Sequence, residues 1–148
     1  MGLDVGERRV GVAIADELGL IASPLGIVLR KHGDLAELRD LAIAKHVDRL
    51  IVGLPTGLSG REGSQAAIVR MFADALGVVV GPDIAIDFWD ERLTTAVAER
   101  VLRERGNRKD RRQGEVDAVA ASVILQGYLD ARRARGLQSM AHENPDAG

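Results

Sequence analysis

The sequence contains no cysteine, which removes disulfides, zinc–thiolate sites and thiol nucleophiles together. Its three histidines, His32, His46 and His142, are scattered, and no pair has metal-ligand spacing. A metal in this chain would therefore be a hard cation held by oxygen. Aromatics are scarce: one Trp, one Tyr and two Phe make no set for stacking single-stranded bases, which weighs against OB-fold and RRM readings. The longest apolar runs are strand-sized and far short of a membrane span. No signal or transit segment is expected ahead of the first strand pattern. A formal net charge of −2 announces no global basic field for nucleic acid. The expected setting is the cytoplasm, with no membrane partner.

What is present suits one globular domain: 148 residues, 46% of them apolar, are enough for a sizeable core. The chain opens "MGLDVGERRVGVAIADE", in which residues 2–7 and 10–15 alternate in a β-like way around a "GERR" turn. Leu3 and Val5 point one way, and Gly2, Asp4 and Gly6 the other. In the second run Val10, Val12 and Ile14 are large while Gly11, Ala13 and Ala15 are small. One surface of the hairpin is thus bulky, and the other is nearly bare around Asp4. The first strand is short at its N-terminal end, and Met1 is read as an internal or misassigned start.

A third short strand is expected at Gly26–Leu29. A helix follows over 34–46, with Leu35, Leu38, Leu41 and Ala42 at helical spacing and Asp34 as N-cap. "LIVGLP" (50–55) reads as a central strand buried on both faces. A helix over Ser64–Leu76, a strand over 84–89, a helix over Thr94–Arg105 and a last helix over Glu115–Arg135 complete the elements. Gly106–Gly114 is expected to be a mobile charged loop. This order implies an α/β fold with a five-stranded mixed sheet, three antiparallel strands then two parallel, and helices on both faces. The domain is expected over 1–135, with 136–148 an unstructured tail.

Three carboxylates stand out. Asp4 lies on a pleat face beside glycines, where a buried charge is costly and a ligand could approach; the alternative is an aspartate tying down the Arg8/Arg9 turn. Glu91 follows the end of the strand that starts near Ile84, and ligands gather beyond the carboxyl ends of parallel strands. Taken alone it could equally be an acid favoured by the dipole of the next helix. Asp117 lies in the first turn of the apolar helix "EVDAVAASVILQGYL", in line with Ala121 and Ile124, where the same dipole explanation applies and Glu115 is its nearby competitor. "GLPTGLSGREG" (53–63) could offer backbone N–H groups to phosphate, but it lacks the Lys-Ser/Thr ending of a nucleotide P-loop. "RERGNRKDRR" (103–112) carries six cationic residues against two acidic and runs directly toward Asp117.

In the expected topology Asp4, Glu91 and Asp117 can meet at one end of the sheet. Three acids gathered there repel one another unless a cation neutralises them, and an all-oxygen pocket favours Mg²⁺ or Mn²⁺. Two such ions roughly 4 Å apart can activate water and stabilise a leaving alkoxide in phosphodiester cleavage.

"GLDVGERRVGVAIAD", "IVGLPTGLSGREG", "DERLTT" and "VDAVAASVILQGYL" resemble the four motif blocks of the YqgF/RuvX family, in order, from residue 1 to about 130. Its members are described as Holliday junction resolvases and as nucleases maturing the 5′ end of pre-16S ribosomal RNA. The resemblance implies a ribonuclease H-like fold with metal-binding, catalytic acids at Asp4, Glu91 and Asp117. This chain departs from the family in its clipped first strand, and in Val5, where members often carry an aromatic. Asp4 is expected to bridge the metals, with Glu91 and Asp117 completing their shells. Candidate nucleic-acid contacts are Arg8, Arg9, Arg61, Arg92, Arg108, Lys109, Arg111 and Arg112, with the loop glycines Gly57 and Gly60. The expected partner is nucleic acid, RNA ahead of DNA, with no nucleotide cofactor.

Three other readings are weighed. A Holliday junction resolvase makes paired cuts and calls for a symmetric homodimer. The hairpin also resembles the phosphate-binding hairpin of actin/Hsp70-type ATPases and sugar kinases, which need two lobes where this length supplies one. A non-catalytic nucleic-acid-binding module would gain nothing from three acids in its site.

Overall fold

Alternation in the first fifteen residues decides which face of the sheet is filled and which is left flat. The computed structural model describes residues 1–56, 62–91 and 111–143. Its elements are β1 (Gly2–Val5), β2 (Arg9–Ala15), β3 (Ala22–Leu29), α1 (Asp34–Ala44), β4 (Arg49–Leu54), α2 (Ser64–Val80), β5 (Ala85–Asp90) and α3 (Arg111–Glu143). The strands form one five-stranded sheet in the order β3-β2-β1-β4-β5. β1–β2 and β2–β3 pair antiparallel, while β1–β4 and β4–β5 pair parallel. The mixed sheet is the expected one, with its antiparallel half first.

On the bulky face Leu3, Val5, Val10 and Val12 pack with Leu50, Val52 and Val28 beneath α1 and α2, which contribute Leu38, Ala42, Ala66, Val69, Phe72 and Leu76. Leu3, Leu38 and Leu50 are fully buried. Cutting such a leucine to alanine costs about 2–5 kcal/mol. The opposite face is lined by small residues and receives α3, with Ala13 and Ile51 meeting Ala121, Ile124, Leu125 and Leu129. Helices therefore cover both faces, and the slim one lies on the slim surface.

Several boundaries differ from the sequence expectation. β3 starts at Ala22 rather than Gly26 and contains Pro24. Pro24 is tolerated because β3 is an edge strand, where a missing N–H breaks little of the ladder. The N-cap of α1 is Gly33 at φ 88, without a side-chain bond. Asp34 instead accepts from Arg30 Nε at 3.1 Å and from the Leu35 N–H at 2.8 Å. α1 stops at Ala44, and His46 takes the left-handed backbone at φ 56. α2 runs on to Val80 and ends at Gly81, φ 79, whose N–H donates to the Gly77 carbonyl at 3.1 Å.

The largest correction concerns α3. It begins at Arg111, inside the stretch expected to be a loop, and continues to Glu143, through much of the expected tail. Ala, Arg, Leu, Gln and Met are strong helix formers, so Gly136 costs about 1 kcal/mol without ending the helix. The helix expected over Thr94–Arg105 lies outside the described residues. Among the described residues no helix is long and apolar enough to cross a membrane.

Candidate active site

The site is organised by a row of residues running across the sheet. β1 and β2 pair Asp4 with Gly11, and β2 and β3 pair Gly11 with Ile27. The parallel ladder pairs Gly2 with Ile51 and Leu3 with Val52, and Gly53 is the next residue along β4. Gly53 in turn pairs with Trp89 of β5. Asp4 thus faces Gly11 on β2, while on β4 Gly53 follows the partner of Leu3.

This corrects the roles assigned to its neighbours along β1. A Cβ on Gly2 would stand 2.8 Å from Leu125 Cβ and 2.9 Å from the Ala121 carbonyl oxygen, so that glycine admits the helix rather than a ligand. Gly6 belongs to the turn, where its N–H donates to the Arg9 carbonyl at 2.9 Å.

The cross-strand glycines bring the other two acids in. A Cβ on Gly11 would overlap the backbone carbonyl of Asp117, so the first turns of α3 rest directly on β2. A Cβ on Gly53 would stand 2.7 Å from Glu91 Oε1 and 2.5 Å from Ile124 Cδ1. Glu91, just past the end of β5, therefore folds back over β4 toward β1. Asp87, on the same face of β5, is engaged elsewhere: it pairs with Arg49 and accepts from the Tyr128 hydroxyl at 3.3 Å. Glu115, the competitor of Asp117, is exposed.

The electrostatics report the same convergence. Burial, reinforced by the charge of Asp117, pushes the Asp4 carboxyl up to about 6. Burial also pushes Glu91 up to about 7, with Asp4 and then Asp90 adding to the rise. Asp4 therefore feels Asp117, and Glu91 feels Asp4. Asp90 accepts a 2.6 Å bond from the Thr56 hydroxyl, tying the start of the loop after β4 to the end of β5.

Arg9, expected on a phosphate, donates from Nε to Asp117 Oδ2 at 2.9 Å. The aspartate holding that turn is Asp117, not Asp4. Arg8 is exposed. Gly57, Gly60, Arg61, Arg92, Arg108 and Lys109 lie outside the described residues, and Arg111 and Arg112 open α3 rather than sitting in a loop.

Oxygen is the only donor these acids offer, which suits a hard divalent cation. Two acids titrating near neutrality because they are buried beside like charge lack positive charge, and such an ion would supply it. Among the described residues no group of three His, Asp or Glu side chains forms a ready-made cage. On the Asp117 side Arg9 holds the carboxylate.

Sequence reasoning missed Gly53 and the Arg9–Asp117 bond. A glycine breaking the apolar run "LIVGLP" was the available signal for Gly53. Trp89 was missed as well. Its ring packs against Gly127, where a Cβ would stand 3.0 Å from Nε1, and it meets Tyr128 edge-on with centroids 6.4 Å apart. Its buried Nε1–H has no hydrogen-bond acceptor among the described residues.

A mixed sheet with helices on both faces and acids drawn from its first strand, the end of its fifth and its last helix defines a ribonuclease H-like protein. The chain belongs to the RuvX family, described as "Holliday junction resolvase", whose profile matches residues 1–131. It is 46% identical over 140 residues to a Symbiobacterium thermophilum protein named "Putative pre-16S rRNA nuclease", covering 93% of this chain and 96% of that one. A Moorella thermoacetica protein of the same name is 47% identical over 132 residues, covering 88% and 93%. Among solved structures the chain is similar to Thermus thermophilus RuvC in complex with a Holliday junction substrate. That likeness has a TM-score of 0.54 at 14% identity, covering 89% of this chain and 93% of that one. At such identity it shows the fold alone.

Proposed function

We propose that the chain is a divalent-metal-dependent endonuclease that hydrolyses phosphodiester bonds in nucleic acid and matures the 5′ end of pre-16S ribosomal RNA in the cytoplasm. The observation that carries the chemistry is the convergence of three acids: Asp117 rests over Gly11, the partner of Asp4; Glu91 lies over Gly53; and Asp4 feels Asp117 as Glu91 feels Asp4. The names of the relatives support the RNA substrate.

Asp4 feels Asp117, and Glu91 feels Asp4, so these three carboxylates are the residues that would hold the divalent ions. When bound, Mg²⁺ or Mn²⁺ supplies the Lewis acidity that activates water and stabilises the leaving alkoxide. The protein's part is to gather three carboxylates whose charged form the ion would stabilise, and to orient the phosphate. Arg9 is the described cation nearest to that task, since its pairing with Asp117 places it at the site. Arg8, Arg61, Arg92, Arg108, Lys109, Arg111 and Arg112, with the N–H groups around Gly57 and Gly60, are proposed to extend the contact along the strand.

The second reading, cleavage of four-way DNA, is favoured by the family description and would require a symmetric dimer. The experiment incubates the purified chain, with Mn²⁺ or with EDTA, against an RNA carrying the 5′ precursor of 16S rRNA and against a four-way DNA junction. Metal-dependent cutting of the RNA is expected. Cutting confined to the junction would transfer the function to the second reading, and binding without cutting of either would leave a non-catalytic module.

A further inference from the structure

β4 stands between β1, which carries Asp4, and β5, which leads to Glu91. For the two carboxylates to interact, Glu91 must cross β4. It does so over residue 53, where a Cβ would meet Glu91 Oε1 at 2.7 Å and Glu91 Cγ at 3.3 Å. The other atom in that space is Ile124 Cδ1 at 2.5 Å. Both obstructions are the far ends of flexible side chains, so the fold has no backbone reason to keep a glycine here. At Gly11 the opposite holds, because the obstruction is the backbone of Asp117. Gly53 φ is not among the left-handed glycines, so conformational freedom does not explain it either.

We propose that Gly53 is a positioning residue for metal binding: its missing side chain is the passage through which Glu91 reaches Asp4. A methyl group there turns Glu91 away and leaves the ion site with an incomplete shell. Residues that orient metal ligands typically change affinity by about 10- to 100-fold. This inference rests on the metal-dependent reading above, and its test separates the two.

The test is a mutant cycle in full-length protein carrying I124V, which removes Cδ1 so that only Glu91 meets the new methyl. Mn²⁺ alone is the probe, titrated by calorimetry, and melting temperature is followed without metal. Adding G53A to I124V is expected to weaken Mn²⁺ binding at least about tenfold. With E91A also present the methyl has room, so G53A is expected not to lower the melting temperature further.

Unchanged Mn²⁺ affinity on adding G53A would overturn the proposal. So would failure of I124V/G53A to fold, or an equal fall in melting temperature with and without Glu91, since each places the clash in the sheet rather than at Glu91. Absence of Mn²⁺ binding in I124V and wild type alike would instead remove the metal-dependent reading itself.

Discussion

Arg9 Nε and Asp117 Oδ2 lie 2.9 Å apart and join the start of β2 to the first turns of α3, 108 residues away in sequence. Both side chains are partly exposed, so the pair itself adds only about 0–1 kcal/mol to stability. Its meaning is electrostatic: the Arg9 guanidinium holds a carboxylate that a divalent ion would also draw. Arg9 therefore competes with the ion for Asp117. Replacing Arg9 by Gln is expected to tighten Mn²⁺ binding several-fold while weakening nucleic-acid binding. Calorimetry with Mn²⁺ and a binding assay in Ca²⁺ read the two effects separately, and equal or weaker Mn²⁺ affinity would refute the competition.

Asp4→Asn removes the central charge and keeps the shape. Cleavage in Mn²⁺ is expected to fall to background, with the helical circular dichroism unchanged. A well-folded variant that still cuts would end the catalytic assignment of Asp4.

The same variant isolates a pH effect whose sign follows from the raised pKa of Asp4. Asp4 moves from 3.8 to about 6 on folding, so between those values the folded state holds more protons than the unfolded one. Stability contributed by this group therefore falls as pH rises through that window. The shift of about 2 units, at 1.36 kcal/mol each, makes the charged residue cost roughly 3 kcal/mol at pH 7. Metal-free Asp4→Asn should exceed wild type by up to that amount at pH 7 and match it below about pH 4. Urea unfolding at several pH values checks the trend, which a constant difference would contradict.

Gly11→Ala tests the contact of α3 with β2. The methyl would overlap the Asp117 carbonyl, a backbone atom that cannot swing aside, so the start of the helix must lift. Overpacking of this kind costs about 1–3 kcal/mol. A lowered melting temperature and faster amide exchange in residues 114–121 are expected, together with loss of cleavage. A variant with wild-type melting and activity would show that α3 does not bear on β2 there.

Local pattern was sufficient for the five strands and the layers. Period-two alternation in "GLDVGERRVGVAIA" separates the bulky face from the flat one, and the small residues of "VDAVAASVILQ" mark the helix that lies on it. Asp4 and Asp117 could be singled out because each is a charge on a face that otherwise carries small or apolar side chains, and Glu91 because it follows the end of a strand in the parallel half of the sheet. Helix ends were less legible. Gly136 reads as a stop in a one-dimensional pattern, whereas one glycine within strong helix formers only weakens a helix that is already long.

Which strands lie side by side is a long-range matter, and so is everything that depends on it. Order along the chain determined the kinds of element, the sidedness of the sheet and the three acids. It carried no information that Gly11 faces Asp4, because that residue lies seven positions away and meets it only through sheet pairing. Tertiary structure alone decided that Arg9 holds Asp117 and that Glu91 passes over Gly53. Side-chain contacts of this kind are set by the spacing of neighbouring strands and the seating of a helix on them, which no local periodicity encodes.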